Sequence, residues 1–347
     1  MSESDVTKEG LQGVRPGREA LTGTPDKAVT GGGGQRRRRG RRGEQEMVPD
    51  AEFTSYYGKP VLNPPTWKAP DIPGYLYLGG LAGAGSLLAA GASLTGRSDL
   101  ARVMKVGSVG AIGLGAVGLV HDLGKPSRFY NMLRVFKPSS PMSVGSWLLA
   151  GYAPAAGIAA LAQLTGRARV LGALGTAGAA LIGPGVAAYT GALLSDTAVP
   201  AWHDGYREMP YLFVGSGASA AGGLGLLAVG LAESGPARSM ALLGTSLELG
   251  ASRLMERRLG HVGTPYHSGA GGRYMKVSKA LAVAGAATAL AGRRSRWASA
   301  VAGATLMASS LCTRWGVFHA GLESARDPAY TVGPQRERAD ARQISEP

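Results

Sequence analysis

Cysteine is almost absent: Cys312 stands alone in 347 residues. One thiol builds neither an intrachain disulfide framework nor a Cys-rich cluster or zinc site. Iron–sulfur chemistry, if it is involved, must belong to a partner. Phenylalanine is scarce too, at 5 against 55 glycines, and Gly and Ala crowd the apolar runs. That is poor filling for a soluble core, which needs large side chains. It suits helices packing closely in lipid, where small residues let backbones approach. Gly79 and Gly83, in the first apolar run, form one such spacing. Acidic residues are outnumbered, leaving a formal charge of +14. In a soluble protein this would suggest nucleic acid. Here the basic residues mostly punctuate apolar runs, as membrane loops do, so the expected partner is a lipid membrane and not nucleic acid.

Residues 1–50 show no apolar periodicity and hold GGGGQRRRRGRRG at 31–43, the composition of a disordered basic tail. A twin-arginine export signal needs an apolar stretch close behind the arginines, and the next one starts only at Ile72. Met47 stands where ordered-looking sequence begins, so a start at that position stays open. Residues 51–71 read as an ordered lead-in, 72–320 as a transmembrane domain and 321–347 as a C-terminal tail.

Long stretches carry no Asp, Glu, Lys or Arg: 72–96, 138–166, 170–195 and 209–232. Each exceeds the ~20 residues a helix needs to cross the hydrocarbon. The stretch 297–313, ending at Arg314, is a marginal fifth span. Three weaker runs are 106–121, 280–292 and the segment from Arg238 to Arg253, interrupted by Glu248. Lys and Arg at their ends can snorkel and lengthen the effective span. Five helices are firm and eight plausible, and eight would put both termini on one side, A. That side receives the loops 121–141, 196–208 and 253–279; side B receives only short turns.

The polar residues follow this asymmetry. His121 and Asp122 end the second span on side A. Asp196 ends the fourth, followed by Trp202, His203 and Asp204. The first span opens there with Trp67, Asp71, Tyr75 and Tyr77, and the last runs out through His319. All five histidines (121, 203, 261, 267 and 319) thus fall on side A. A lone His at a helix end is usually a solvated interface residue; five on one face, among aromatics and carboxylates, point to a functional face. A quinone headgroup fits that face, because its carbonyl oxygens need His or Tyr donors and its protons need carboxylate or imidazole relays. Haem would need histidines facing each other inside the bundle, and these lie at helix ends, so neither haem nor an iron–sulfur cluster is expected in this chain.

Three stretches carry a family resemblance: HDLGKPSRFYNMLRVFKPSSPMSVGSW (121–147), YTGALLSDTAVPAWHDGYREMPYLFVGSG (189–217) and PGYLYLGGLAGAG (73–85). They resemble the NrfD/polysulfide reductase membrane-subunit family, over roughly residues 60–330. The resemblance implies an all-α integral membrane protein of about eight helices in two four-helix bundles. It also implies a quinone, menaquinone or ubiquinone, bound beside a ferredoxin-like four-cluster iron–sulfur subunit that serves a molybdopterin catalytic subunit. The quinone pocket of the family points to Tyr189 and to the stretch from Trp67 to Tyr77. This chain has Trp67, Lys68 and Asp71 where well-studied members have His or Asn, and His121 is the substitute ligand.

The expected site thus comprises His121, Asp122, Asp196 and Glu248 for proton chemistry, and Trp67, Tyr75, Tyr77, His121, Tyr189 and His203 around the headgroup. Lys125, Arg128, Arg134 and Lys137 either meet lipid headgroups or dock an acidic ferredoxin-like surface by charge complementarity. Glu248, alone in an apolar run, suits a proton path or a polar lock between helices. The expected location is the bacterial cell membrane, crossed many times. The six arginines at 36–42 lean side A toward the cytoplasm. A proton-conducting or secondary transporter-like module is the rival reading, for which polar residues should gather at the bilayer midplane.

Overall fold

The computed structural model describes residues 62–332 except 64 and 124, residue 334, and two short strands near the N-terminus. Those strands, Val6–Thr7 and Gly10–Leu11, pair antiparallel. The basic tail expected over 1–50 otherwise lies outside the described residues, as does the chain beyond 334.

Eight long helices run through the described residues: α1 (Asp71–Leu94), α2 (Ser98–Asp122), α3 (Pro141–Thr165), α4 (Arg169–Ser195), α5 (Met209–Ala228), α6 (Gly235–Leu259), α7 (Gly269–Ala291) and α8 (Arg296–Arg326). Local chemistry sets their limits. Ser140 and Ser295 cap α3 and α8 by accepting the backbone N–H of Ser143 and Ala298, and Gly166 ends α3 in the left-handed conformation at φ 66°. The first N–H groups of α2, on Asp99 and Leu100, both donate to the Glu233 carboxylate at 3.0 Å, so the α5–α6 loop caps a helix of the other bundle.

Five helices, α1 to α5, are long and apolar enough to cross a membrane. The chain is an all-α membrane protein. Run 106–121, short by itself, belongs to the most apolar of the five, and α2 gains the length to span by starting further back at Ser98. The last helix runs past Arg314, as expected from its exit through His319. Helix α8 continues to Arg326 and buries Arg314 completely, because its apolar face resumes at Gly316, Val317 and Phe318.

Two four-helix groups emerge from the packing. In the first, α1 packs on α2 and α4, and α3 packs on α4 and α2; in the second, α5 packs on α6 and α8, and α7 packs on α8 and α6. Helix α1 joins them by packing on α5. Hydroxyl pairs glue the helices internally, as expected where lipid offers no water: Ser216 to Ser310 at 2.8 Å, Ser278 to Thr313 at 2.6 Å, and Tyr152 to both Ser86 and the Ala82 carbonyl. Bonds between helix ends fix the two faces. Arg258 clasps Glu208 at end A, where α1 begins, and Lys105 meets Gln163 at end B.

The tightest crossings use glycine. A Cβ on Gly83 would run into the backbone of Gly183 on α4, and one on Gly217 of α5 would lie 2.7 Å from the Gly80 carbonyl. Gly79, which the sequence spacing paired with Gly83, has nothing near a Cβ. Gly217→Val should therefore destabilise the detergent-solubilised protein by about 1–3 kcal/mol, whereas Gly79→Ala should leave its thermal unfolding unchanged. A second expectation concerns pH. The hydrogen bond from Arg258 holds the Glu208 carboxyl below its usual pKa. Its stabilisation is present above ~4.3 and is lost as pH falls through the lower folded value. Glu208→Gln should thus lower the melting temperature at neutral pH, with the gap closing in acid.

Candidate functional site

A cavity of about 310 Å³ opens at end A of the first bundle. Helix periodicity builds its walls. Ile72, Tyr75 and Leu76 share one face of α1's opening turns, and Leu119 and Asp122 share one face of α2's last turn. Ser146 and Leu149 come from α3, Tyr189 and Leu193 from α4. The rim is the 3-10 helix Pro126–Leu133, which contributes Arg128, Asn131 and Met132. The Pro-bounded loop that interrupts the apolar sequence after Val120 is therefore one wall of a cavity.

Few polar groups enter it. The Tyr189 side chain packs where α3 has Gly145, and a Cβ there would overlap its ring. Neither the Tyr189 nor the Tyr75 hydroxyl has a hydrogen-bond partner among the described residues. The Asp122 carboxylate lies within electrostatic reach of the Lys68 backbone and so couples to the lead-in segment. Trp67 closes that side. It stacks on Trp202 with centroids 5.7 Å apart, and Trp202 in turn packs on Phe318 and donates from Nε1 to the Val317 carbonyl at 2.7 Å. The arrangement is an apolar slot lined by two tyrosines, their hydroxyls unpartnered among the described residues, and one carboxylate-bearing residue, suited to a flat ring with oxygen acceptors.

Other residues singled out from sequence lie elsewhere. His121 turns outward, with its side chain 75% exposed and Nδ1 2.8 Å from Asp71 Oδ2. Asp196 is exposed after the last turn of α4, and His203 is exposed with Nδ1 3.1 Å from the Ser195 carbonyl. Arg134 and Lys137 are exposed, Lys125 is half-buried, and Arg128 lines the cavity. Tyr77, two positions after Tyr75, turns toward the second bundle and interacts electrostatically with Arg314. Among the described residues no group of three His, Cys, Asp or Glu is placed to hold a metal ion.

In the sequence, Arg314 stood out only as the bound of the charge-free run 297–313. It is fully buried, its guanidinium 3.8 Å above the Phe213 ring, and Nη2 donates to the Phe213 carbonyl at 2.8 Å. Its Nε and Nη1 are buried without a hydrogen-bond partner among the described residues, as is Oε2 of Glu248 on α6. The other Glu248 oxygen accepts from Thr313. Glu248 and Arg314 sense each other across the second bundle. The apolar residues resuming after Arg314 were the available sign of its burial.

Fold and site together define a class: a multi-pass helical membrane protein with a ring-sized, sparsely polar cavity at one mouth of its first bundle. The family model described as polysulphide reductase, NrfD, matches residues 62–245. The chain belongs to the NrfD family, which supplies membrane subunits to polysulphide-reductase-like oxidoreductase complexes. No curated protein matches the chain. The matched stretch contains every residue of the cavity and stops short of Glu248 and Arg314.

Removing Arg314 should leave Glu248 buried without a positive charge in reach, with only neutral hydroxyls such as that of Thr313 to compensate it. Arg314→Met is expected to cost about 3 kcal/mol, and adding Glu248→Gln should restore part of the loss. Thermal unfolding of the single and double variants measures this coupling; strictly additive losses would show that the two groups do not interact.

Proposed function

We propose that this chain is the quinone-reactive subunit of a multisubunit oxidoreductase in the bacterial cell membrane. Electrons would pass between the iron–sulfur clusters of a ferredoxin-like partner, itself serving a molybdopterin subunit, and menaquinone or ubiquinone. The observation that carries this reading is the cavity at end A, with two uncommitted tyrosine hydroxyls and Asp122 around an apolar slot. At about 310 Å³ it lies at the lower end of ligand pockets, ~300–1,000 Å³, enough for a headgroup whose apolar tail stays in lipid.

When bound, the quinone supplies exchange of two electrons and two protons. Tyr75 and Tyr189 would donate to its carbonyl oxygens, and Trp67 would shield one face from water. Asp122 would move protons between the slot and the surface, where His121 and Asp71 form an exposed pair one residue away. His121 is then a relay at the water boundary, not a headgroup ligand. Asp196 and His203, exposed at the end of α4, would act at most in proton supply. Arg128 on the rim, with Lys125, Arg134 and Lys137, would meet an acidic partner surface; steering by such charges weakens with salt. Side A would be cytoplasmic.

A proton-conducting module is a second reading, supported by the buried Glu248 and Arg314. Proteoliposomes of the chain alone that collapse a pH gradient, and cease to with Glu248→Gln, would favour it.

For the quinone reading, tagged protein purified in mild detergent should bring down both partner subunits and quinone. In that complex Tyr189→Phe and Asp122→Asn should each lower quinone-linked turnover at least 100-fold, the low end of general acid–base contributions, while the artificial-dye activity of the catalytic subunit stays normal. Normal quinone-linked turnover in both variants overturns the assignment.

A further inference from the structure

A second cavity, about 660 Å³, opens at end B of the first bundle, between the last turns of α1 and α3 and the first turns of α2 and α4. The whole length of α1, ~36 Å at 1.5 Å per residue, separates it from the site at end A. Its walls are mostly short side chains, among them Ala92, Ala159 and Ala173. Missing bulk thus leaves an apolar slot between the ends of spanning helices.

Three cations reach into this slot: Arg97, just before α2, Lys105, two turns into it, and Arg169, the first residue of α4. Lys105 is half-buried and donates from Nζ to Gln163 Oε1 at 3.0 Å. Among the described residues none of the three is paired with a carboxylate. Two acids stand at the same end but outside the slot's lining: Glu233 is engaged in capping α2, and Asp99 is exposed in that helix's first turn. Unpaired charge close to hydrocarbon is costly, so the slot favours an anion.

We infer that this cavity binds an anionic phospholipid, its phosphate among Arg97, Lys105 and Arg169 and an acyl chain along the alanine walls. Free phosphate satisfies the cations but leaves the apolar slot open to water. A zwitterionic lipid brings its own cation and gains less. Basic pockets between membrane helices recognise lipid headgroups in this way. The site is independent of the quinone reading and lies at the opposite face.

The test uses delipidated full-length protein in nanodiscs of phosphatidylcholine, with or without phosphatidylglycerol, reading retained lipid by native mass spectrometry and the melting temperature. Phosphatidylglycerol should be retained and raise the melting temperature. Arg97→Gln, Lys105→Gln and Arg169→Gln should each weaken retention about fivefold, and salt should weaken it further. Arg102→Gln, exposed and outside the slot, should retain lipid normally. Should the charge variants fail to fold, Ala173→Leu fills the slot without touching a charge and should abolish retention. Equal retention of phosphatidylcholine overturns the inference. So does stabilisation by inorganic phosphate with no lipid retained, which would assign the cations to a free anion. Quinone-linked turnover enters none of these readouts, so failure here leaves the redox reading intact.

Discussion

The close seating of α1 between two neighbours governs the rest of the structure. Its backbone presses on α4 at Gly83 and on α5 at Gly80. In lipid, helices gain little from hiding apolar surface from one another, and association rests on packing and internal hydrogen bonds. Two backbone contacts on different faces fix both the position of α1 and its rotation about its own axis. Tyr75 and Tyr77, two residues apart on a helix of 3.6 residues per turn, then project to nearly opposite sides. One lines the cavity of the first bundle; the other approaches Arg314 of the second.

End A is held together by groups that also shape the site. Trp202 connects the lead-in segment, through Trp67, to α8 through Phe318 and Val317. Gly321 leaves the space its indole occupies. Tyr266 donates to the Ala201 carbonyl, and Ser324 accepts the Ala201 N–H, so the short helical turn Pro200–His203 is pinned from two directions. The cavity mouth is therefore built on a braced platform even though much of it comes from loops. Preorganisation of this kind lets two tyrosine hydroxyls remain without partners among the described residues at little conformational cost.

The second bundle carries a different burden. A fully buried guanidinium and a buried carboxyl, each with hydrogen-bonding capacity unmet among the described residues, lie within electrostatic reach of one another in place of a uniform apolar core. Removing one partner of such a pair is far costlier than replacing both. The two groups lie beyond the family-matched stretch, while the cavity lies wholly within it. The two bundles thus share an architecture and differ in chemistry: one leaves a space bordered by free donors, the other is filled and polar.

Sequence by itself determined the helices, the gathering of histidines and aromatics at one end, and part of the site. Asp122 stood out because charge-free runs mark where helices end; Tyr189 and the stretch from Trp67 to Tyr77 were tied to a pocket only through the family resemblance, and Arg128 stood out only as a loop cation. Rotation and depth could not be read. Alternating apolar residues do not say which face of α1 meets which bundle, so Tyr77 was grouped with Tyr75. An Arg after a 17-residue apolar run looks the same whether its helix buries the charge or leaves it at the surface. His121 and Asp122 are neighbours in sequence, yet a step of about 100° around a helix sends one to water and the other to the cavity. Tertiary packing decided these points, because only the seating of one helix against another fixes where each side chain is aimed.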